Sequence, residues 1–171
     1  NRAGVEFLVG YNEKTGEAYD VISDGLKNRV NFPPWLIEKL EDPANQAILH
    51  HNHPSSRSLS SDDLLMTVKF PGLKGVWAHG HNGSSYYAEA GQRIMPRQDY
   101  DAADGAVRNV MQALINRREM AIEDAQATSA HAVALLLEAR GFITYKADLQ
   151  KSSMTGFNRD KGIIEGFLAN G

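Results

Sequence analysis

Between residues 48 and 65 the chain reads ILHHNHPSSRSLSSDDLL, with three histidines in four positions, a proline, a run of serines and two adjacent aspartates. In an extended strand alternate side chains share a face, so His51 and His53 can reach one ion while His50 and Asn52 point the other way. Pro54 lacks an amide hydrogen for a ladder and stops the strand, which puts the pair at the rim of a sheet. A third ligand has to come from a neighbouring element. Residues 60–63 open the next one, and the first turn of a helix there returns a carboxylate, Asp62 or Asp63, to the rim. Two imidazoles, one carboxylate and a fourth position for water make up a catalytic zinc site rather than a closed structural one. Zinc lowers the pKa of a bound water to about 7, which makes hydroxide available at neutral pH. A further carboxylate, not a ligand, is then wanted to take and return the proton. Glu6 is the candidate, as the one acid inside the otherwise apolar run GVEFLVGY.

The elements that must position these groups follow from pattern and punctuation. Residues 4–11 and the β-rich run in NEKTGEAYDVIS read as a hairpin around a glycine-containing turn. NFPPWLIEKLED has proline in a first helical turn, then Trp35, Leu36, Ile37 and Leu40 at helical spacing. NQAILHHNH is a short strand. SLSSDDLLMTVKF begins a helix, with Ser at its start and acids where the helix dipole favours them. KGVWAHGHNGSSYYAEA is strand, turn and strand, with Asn82-Gly83 as the turn. From Gln98 to Gly141 the chain has no proline and is rich in helix formers. That stretch is one long helix or two consecutive ones, and Gly141 is its stop. GFITYKADL reads as a short strand or an extended segment, and the tail as a turn and a last helix. The expected organisation is an α/β core over residues 1–95 and a helical extension over 96–171, which packs on the core or shapes substrate and partner binding.

Composition limits the partners. The chain has 171 residues, enough for a domain with a proper core, and a net charge of -3, which creates no field for gathering nucleic acid. It has no cysteine, so any metal must be held by His, Asp or Glu. No apolar run approaches the roughly 20 residues that span a bilayer. The expected setting is therefore soluble, either cytoplasmic or delivered. The opening at Asn1, without Met, is what a domain cut from a longer protein would present, and removal of a tag or of Met would look the same.

Glu6, then His51-Asn52-His53-Pro54, then Ser60 to Asp63 resembles the motif of the JAMM (JAB1/MPN-type) metalloproteases. The resemblance covers roughly residues 3 to 90. The wording HNHPS is closest to the bacterial branch, which includes RadC-like proteins and the JAB domains of polymorphic toxins and phage proteins. It implies a JAB/MPN-like, cytidine-deaminase-like mixed sheet with flanking helices. It implies Zn2+ at His51, His53 and Asp63, Glu6 as general acid/base, and Ser60 as a hydroxyl near the scissile carbonyl oxygen. The implied activity is a zinc-dependent peptidase or isopeptidase acting on a protein or peptide, such as a ubiquitin-like conjugate. A toxin setting adds an immunity or inhibitor protein as partner. The family's usual spacing would pick Ser61 and then Leu64, which cannot bind metal; a loop shorter by one residue gives Ser60 and Asp63.

Other readings compete. HHNHP superficially resembles HNH nucleases, but no later Asn and His stand at the needed spacing, and no strongly basic face accompanies them. A non-catalytic JAB-fold binding module would need none of the five polar residues. His79 and His81 read as exposed residues of a hairpin tip, His131 as a half-buried packing residue, and one of Tyr86 and Tyr87 as core. Strand alternation predicts that His51→Ala and His53→Ala each lose about one zinc per chain while His50→Ala keeps it. Metal analysis of the purified variants checks this, and equal loss from the His50 variant would mean that the strand register is wrong.

Overall fold

The computed structural model describes residues 4–27, 29–149, 162 and 166. Along the chain come β1 (Leu8–Asn12), α1 (Pro34–Glu41), β2 (Ala47–His53), α2 (Ser61–Lys69), β3 (Leu73–Gly80), β4 (Ser85–Ala90), α3 (Arg97–Asn116), α4 (Ile122–Ala139) and β5 (Ile143–Asp148). The five strands lie side by side in the order β1-β2-β3-β4-β5. All neighbours are antiparallel except β2 and β3. A parallel pair cannot be joined by a tight turn, and α2 is the crossover that joins this one.

Local sequence explains the element ends. α1 begins at Pro34 and buries Leu36 and Leu40. α2 is capped by Ser60, with a reciprocal capping box to Asp63, an arrangement in which loss of the hydroxyl costs about 1 kcal/mol. Gly83 (φ +86°) closes the β3–β4 turn and Gly141 (φ +76°) ends α4, both in the left-handed region that glycine enters without strain. The inward sheet face and the helices share one apolar core, which includes Leu49, Val76, Ala88, Leu64, Val107 and Leu137. At about 1.5–3 kcal/mol for each large aliphatic side chain withdrawn from water, this packing fixes the ends of β2 and α2 relative to one another.

Several details depart from the sequence reading. The second half of the expected N-terminal hairpin is not a strand: it touches β1 through isolated bridges only, Leu8 to Ile22 and Tyr11 to Ala18. Its side chains do not alternate between two buried rows, since Val21 is 68% exposed while Tyr19 alone is fully buried nearby. Glu6 precedes β1 rather than lying inside it. After residue 96 the expected helices and short strand are present among the described residues as α3, α4 and β5; what departs is that β5 pairs with β4 as an edge strand of the same sheet rather than belonging to a separate extension. His79 lies in β3 rather than at the turn, 3.0 Å from His50. Tyr86 and Tyr87 are both buried because β4 is an interior strand, with the Trp77 ring tilted against Tyr87 at 4.8 Å between centroids. The expected last helix falls outside the described residues, apart from Gly162 and Gly166. Among the described residues no helix is long and apolar enough to cross a membrane.

His131 of α4 is buried, not half-buried, and its Nδ1 meets the Tyr145 hydroxyl at 2.7 Å. Burial pushes its pKa down to about 4. Between the ordinary value of 6.5 and about 4, the unfolded chain takes up a proton that the folded chain refuses, so stability falls as pH drops through that window. The span corresponds to roughly 3 kcal/mol. Chemical denaturation at the two ends of the window should show a steeper pH dependence for the parent chain than for His131→Gln. Equal slopes would show that the imidazole does not stay neutral in the fold.

Candidate metal centre

β2 ends with its alternation intact: His51 is buried and His53 is half-buried on the same side, where their Nε2 atoms stand 2.8 Å apart. His50, on the opposite side, joins a row of rings with Tyr11, Trp77 and His79. β1 pairs with β2 so that Leu8 faces His51. Carried two residues back, that register sets Glu6 opposite His53. Glu6 is buried, and its Oε1 lies 3.7 Å from His51 Nε2 and 3.8 Å from His53 Nε2.

Asp63 completes the cluster from the first turn of α2. Its Oδ1 is 3.4 Å from His51 Nε2 and its Oδ2 is 3.5 Å from His53 Nε2. Asp62, its neighbour, is exposed and has no ion pair with either histidine among the described residues. Ser60 aims Asp63: its backbone N–H and its hydroxyl both donate to Asp63 Oδ2 at 2.7 Å, and its Oγ accepts the Asp63 N–H at 3.2 Å. The Ser60 hydroxyl proton is thus committed to the carboxylate, so this geometry gives Ser60 an orienting task rather than an open donor for a substrate oxygen.

The imidazole of His53 is also oriented. Its Nδ1 lies 2.9 Å from the Arg57 carbonyl. A carbonyl only accepts, so Nδ1 carries the hydrogen, and in the neutral ring Nε2 then directs a lone pair toward Glu6, His51 and Asp63. Two atoms of the cluster have no hydrogen-bond partner among the described residues although both are buried, Glu6 Oε2 and His51 Nδ1. Leaving such atoms unmet is costly in a closed interior.

Charge separates the two carboxylates. Burial raises the Glu6 pKa, His51 and His53 oppose that rise, and Asp63 adds to it. Burial pushes on Asp63 in the same sense, but the two imidazoles outweigh it and hold Asp63 well below the usual carboxylate range. His53 is lowered by burial and raised further by Asp63, Arg57 and Glu6, with a net rise.

Asn52 was not picked out by the sequence reading, yet it places Glu6. Its side chain accepts the Phe7 N–H at 2.7 Å and donates to the Val5 carbonyl at 3.0 Å, clamping the backbone on either side of Glu6 to β2. The signal was present as an amide-bearing residue between two histidines, beside an edge strand with free polar groups. From the other side, the Glu6 N–H donates to the Leu26 carbonyl at 2.8 Å.

Glu6, His51 and His53 each offer one ligand atom, all within 4.8 Å of one another, and the group could hold a metal ion. Asp63 reaches the same two histidines. The cluster lies in an open cleft of about 1200 Å³ whose apolar lining includes Phe32, Ile37, Leu65 and Val68. No protein-family model, curated protein or solved structure matches the chain.

The two aspartates separate in a titration with zinc. Asp63→Ala removes a carboxylate that faces both imidazoles and should lower affinity at least 10-fold, while Asp62→Ala should match the parent within a factor of about two. Loss in the Asp62 variant alone would overturn this assignment of the α2 start.

Proposed function

We propose that this cluster is the zinc centre of an amide hydrolase, a peptidase or isopeptidase of the JAMM type. One observation carries the reading: the Nε2 atoms of His51 and His53 converge on the carboxylates of Asp63 and Glu6 within 3.8 Å. The donor set suits zinc, which takes imidazole nitrogen and carboxylate oxygen in a tetrahedral shell. Around an ion that holds its ligands at about 2.0–2.1 Å, neighbouring ligand atoms stand about 3.3–3.4 Å apart. The contacts of Asp63 with the histidines, 3.4 and 3.5 Å, are near that spacing, and those of Glu6 are longer at 3.7 and 3.8 Å. The histidine nitrogens, at 2.8 Å, have to part by about half an ångström. His51, His53 and Asp63 are therefore the ligands in this reading, and Glu6 the carboxylate beside them.

When bound, the cation supplies positive charge that acidifies water to a pKa of about 7 and draws electron density from a carbonyl oxygen. The chain's own residues do the rest. Glu6 takes a proton from the water whose oxygen adds to the amide carbon. As the C–N bond breaks, Glu6 returns that proton to the departing amine, and the products are an amine and a carboxylic acid that keeps the water's second proton until it ionises. Its Oε1 faces the cluster, 3.7 and 3.8 Å from the two Nε2 atoms, on the side from which that proton would come. Ser60 and Arg57 act earlier, by holding Asp63 and His53 in place before substrate arrives. The apolar strip beside the cluster suits the side chains of a peptide or of a ubiquitin-like tail, and the implied partner is a protein substrate.

Glu6→Gln keeps the shape and removes the basicity. It should retain zinc and melting temperature while turnover falls by roughly 100-fold or more. Bound metal, thermal unfolding and cleavage of a ubiquitin-like conjugate are measured on one preparation, with growth arrest on expression as a second assay. A fully active Glu6→Gln protein sinks the mechanism. Growth arrest accompanied by nucleic-acid degradation would assign the cleft to a nuclease instead.

A further inference from the structure

Residues 57 to 60 each serve a different part of the molecule. The Arg57 carbonyl meets His53 Nδ1, the Ser58 hydroxyl meets Tyr145, Leu59 is buried in the core, and Ser60 caps α2 and holds Asp63. The Ser58 contact is the long-range one. Its Oγ lies 2.7 Å from the Tyr145 hydroxyl on β5, which in turn lies 2.7 Å from His131 Nδ1 on α4. All three residues are buried, at 3%, 5% and 5% exposure, so the chain of contacts is not diluted by water. It can run in either sense. Ser58 donates to Tyr145 and Tyr145 to His131, or His131 donates to Tyr145 and Tyr145 to Ser58, with one proton in each contact. β5 contributes a further anchor, because the Tyr145 N–H donates to the Glu138 carboxylate on α4 at 2.8 Å.

The same loop is fixed a second time further back. The Tyr86 hydroxyl donates to the Ser56 carbonyl at 3.3 Å, and the Asn82 N–H donates to the Ser56 hydroxyl at 3.1 Å. Ser56 holds the turn in a left-handed conformation (φ +55°), which residues other than glycine adopt uncommonly. Between these two anchors lies Arg57, whose N–H donates to the Ser55 hydroxyl at 3.4 Å and whose carbonyl meets His53 Nδ1 at 2.9 Å.

We propose that Ser58, Tyr145 and His131 form a buried strut through which the region beyond residue 96 positions His53, by holding the Arg57 carbonyl against Nδ1 and so fixing which nitrogen faces the cluster. These are positioning residues, since none of them touches the cluster itself. The inference assigns the helices and β5 a task in the site. For its metal readout alone it rests on the zinc reading above.

The test uses the full chain. In the parent, nitrogen-15 NMR of the metal-free protein at alkaline pH should find His53 almost wholly in the Nδ1–H tautomer. Tyr145→Phe and Ser58→Ala should each give a mixture of tautomers, and each should weaken zinc binding about 10-fold, as outer-shell partners of ligating histidines do. Because both act through one contact, the double variant should lose no more than the worse single one. Removing a buried hydroxyl also lowers stability, so Val107→Ala, a core truncation in α3, serves as control. It should lower the melting temperature while leaving tautomer and affinity unchanged. Parent-like tautomer and affinity in Tyr145→Phe would overturn the strut, as would equal changes in Val107→Ala. If the parent takes up no zinc, the zinc reading fails, and the tautomer measurement still decides for or against the strut.

Discussion

The parallel pairing of β2 with β3 is the constraint from which the site follows. Two parallel neighbours require the chain to travel back along the sheet before it can pair again, and here α2 makes that journey. The helix must therefore begin near the carboxyl end of β2. Whatever stands in its first turn meets whatever stands in the last residues of the strand. In this chain those are Asp63 and the pair His51 and His53. Open α/β sheets place their ligand sites outside the carboxyl ends of strands for the same topological reason. β1, antiparallel to β2, brings its own start to the same end, and this is how a residue 45 positions away in sequence becomes a neighbour.

Much of this was legible in the residues. A period of two in ILHHNH separated His51 and His53 from His50, and the structure keeps them on opposite sides of β2. Ser60 and Asp63 announced a helix start, and the capping box is there. The cap and the contact with histidine are not alternatives, because a carboxylate has two oxygens: Oδ2 takes the hydrogen bonds from Ser60, and Oδ1 lies closest to His51. What could not be read depends on distant chain. The sequence around Glu6 looks like a strand, but the ladder begins only at Leu8, and Asn52 supplies the hydrogen bonds that a strand would have made. Residues 143–148 looked like an appendage to a helical region. Only the sheet order, with β4 needing a partner on its outer side, makes them an edge strand. Tyr145 and His131 carried no local signal at all, since their significance lies in a serine 87 positions before the tyrosine.

Electrostatics then restricts what the site can contain. Glu6 and Asp63 are both largely withdrawn from water, and they face the same two imidazoles. Two ionised carboxylates in one such place repel each other, and the raised pKa of Glu6 includes that repulsion from Asp63. Balance requires either a proton on Glu6, imidazoliums at His51 and His53, or a divalent cation. The histidine nitrogens 2.8 Å apart cannot both carry a hydrogen pointed at the other, so two imidazoliums would have to rotate or separate. The Arg57 carbonyl opposes rotation of His53. Of the three ways to balance the charge, a cation alone draws on both nitrogen lone pairs and on carboxylate oxygen together. That asymmetry, built by a backbone carbonyl and a helix cap on opposite sides of one short loop, is the physical ground on which the metal reading stands.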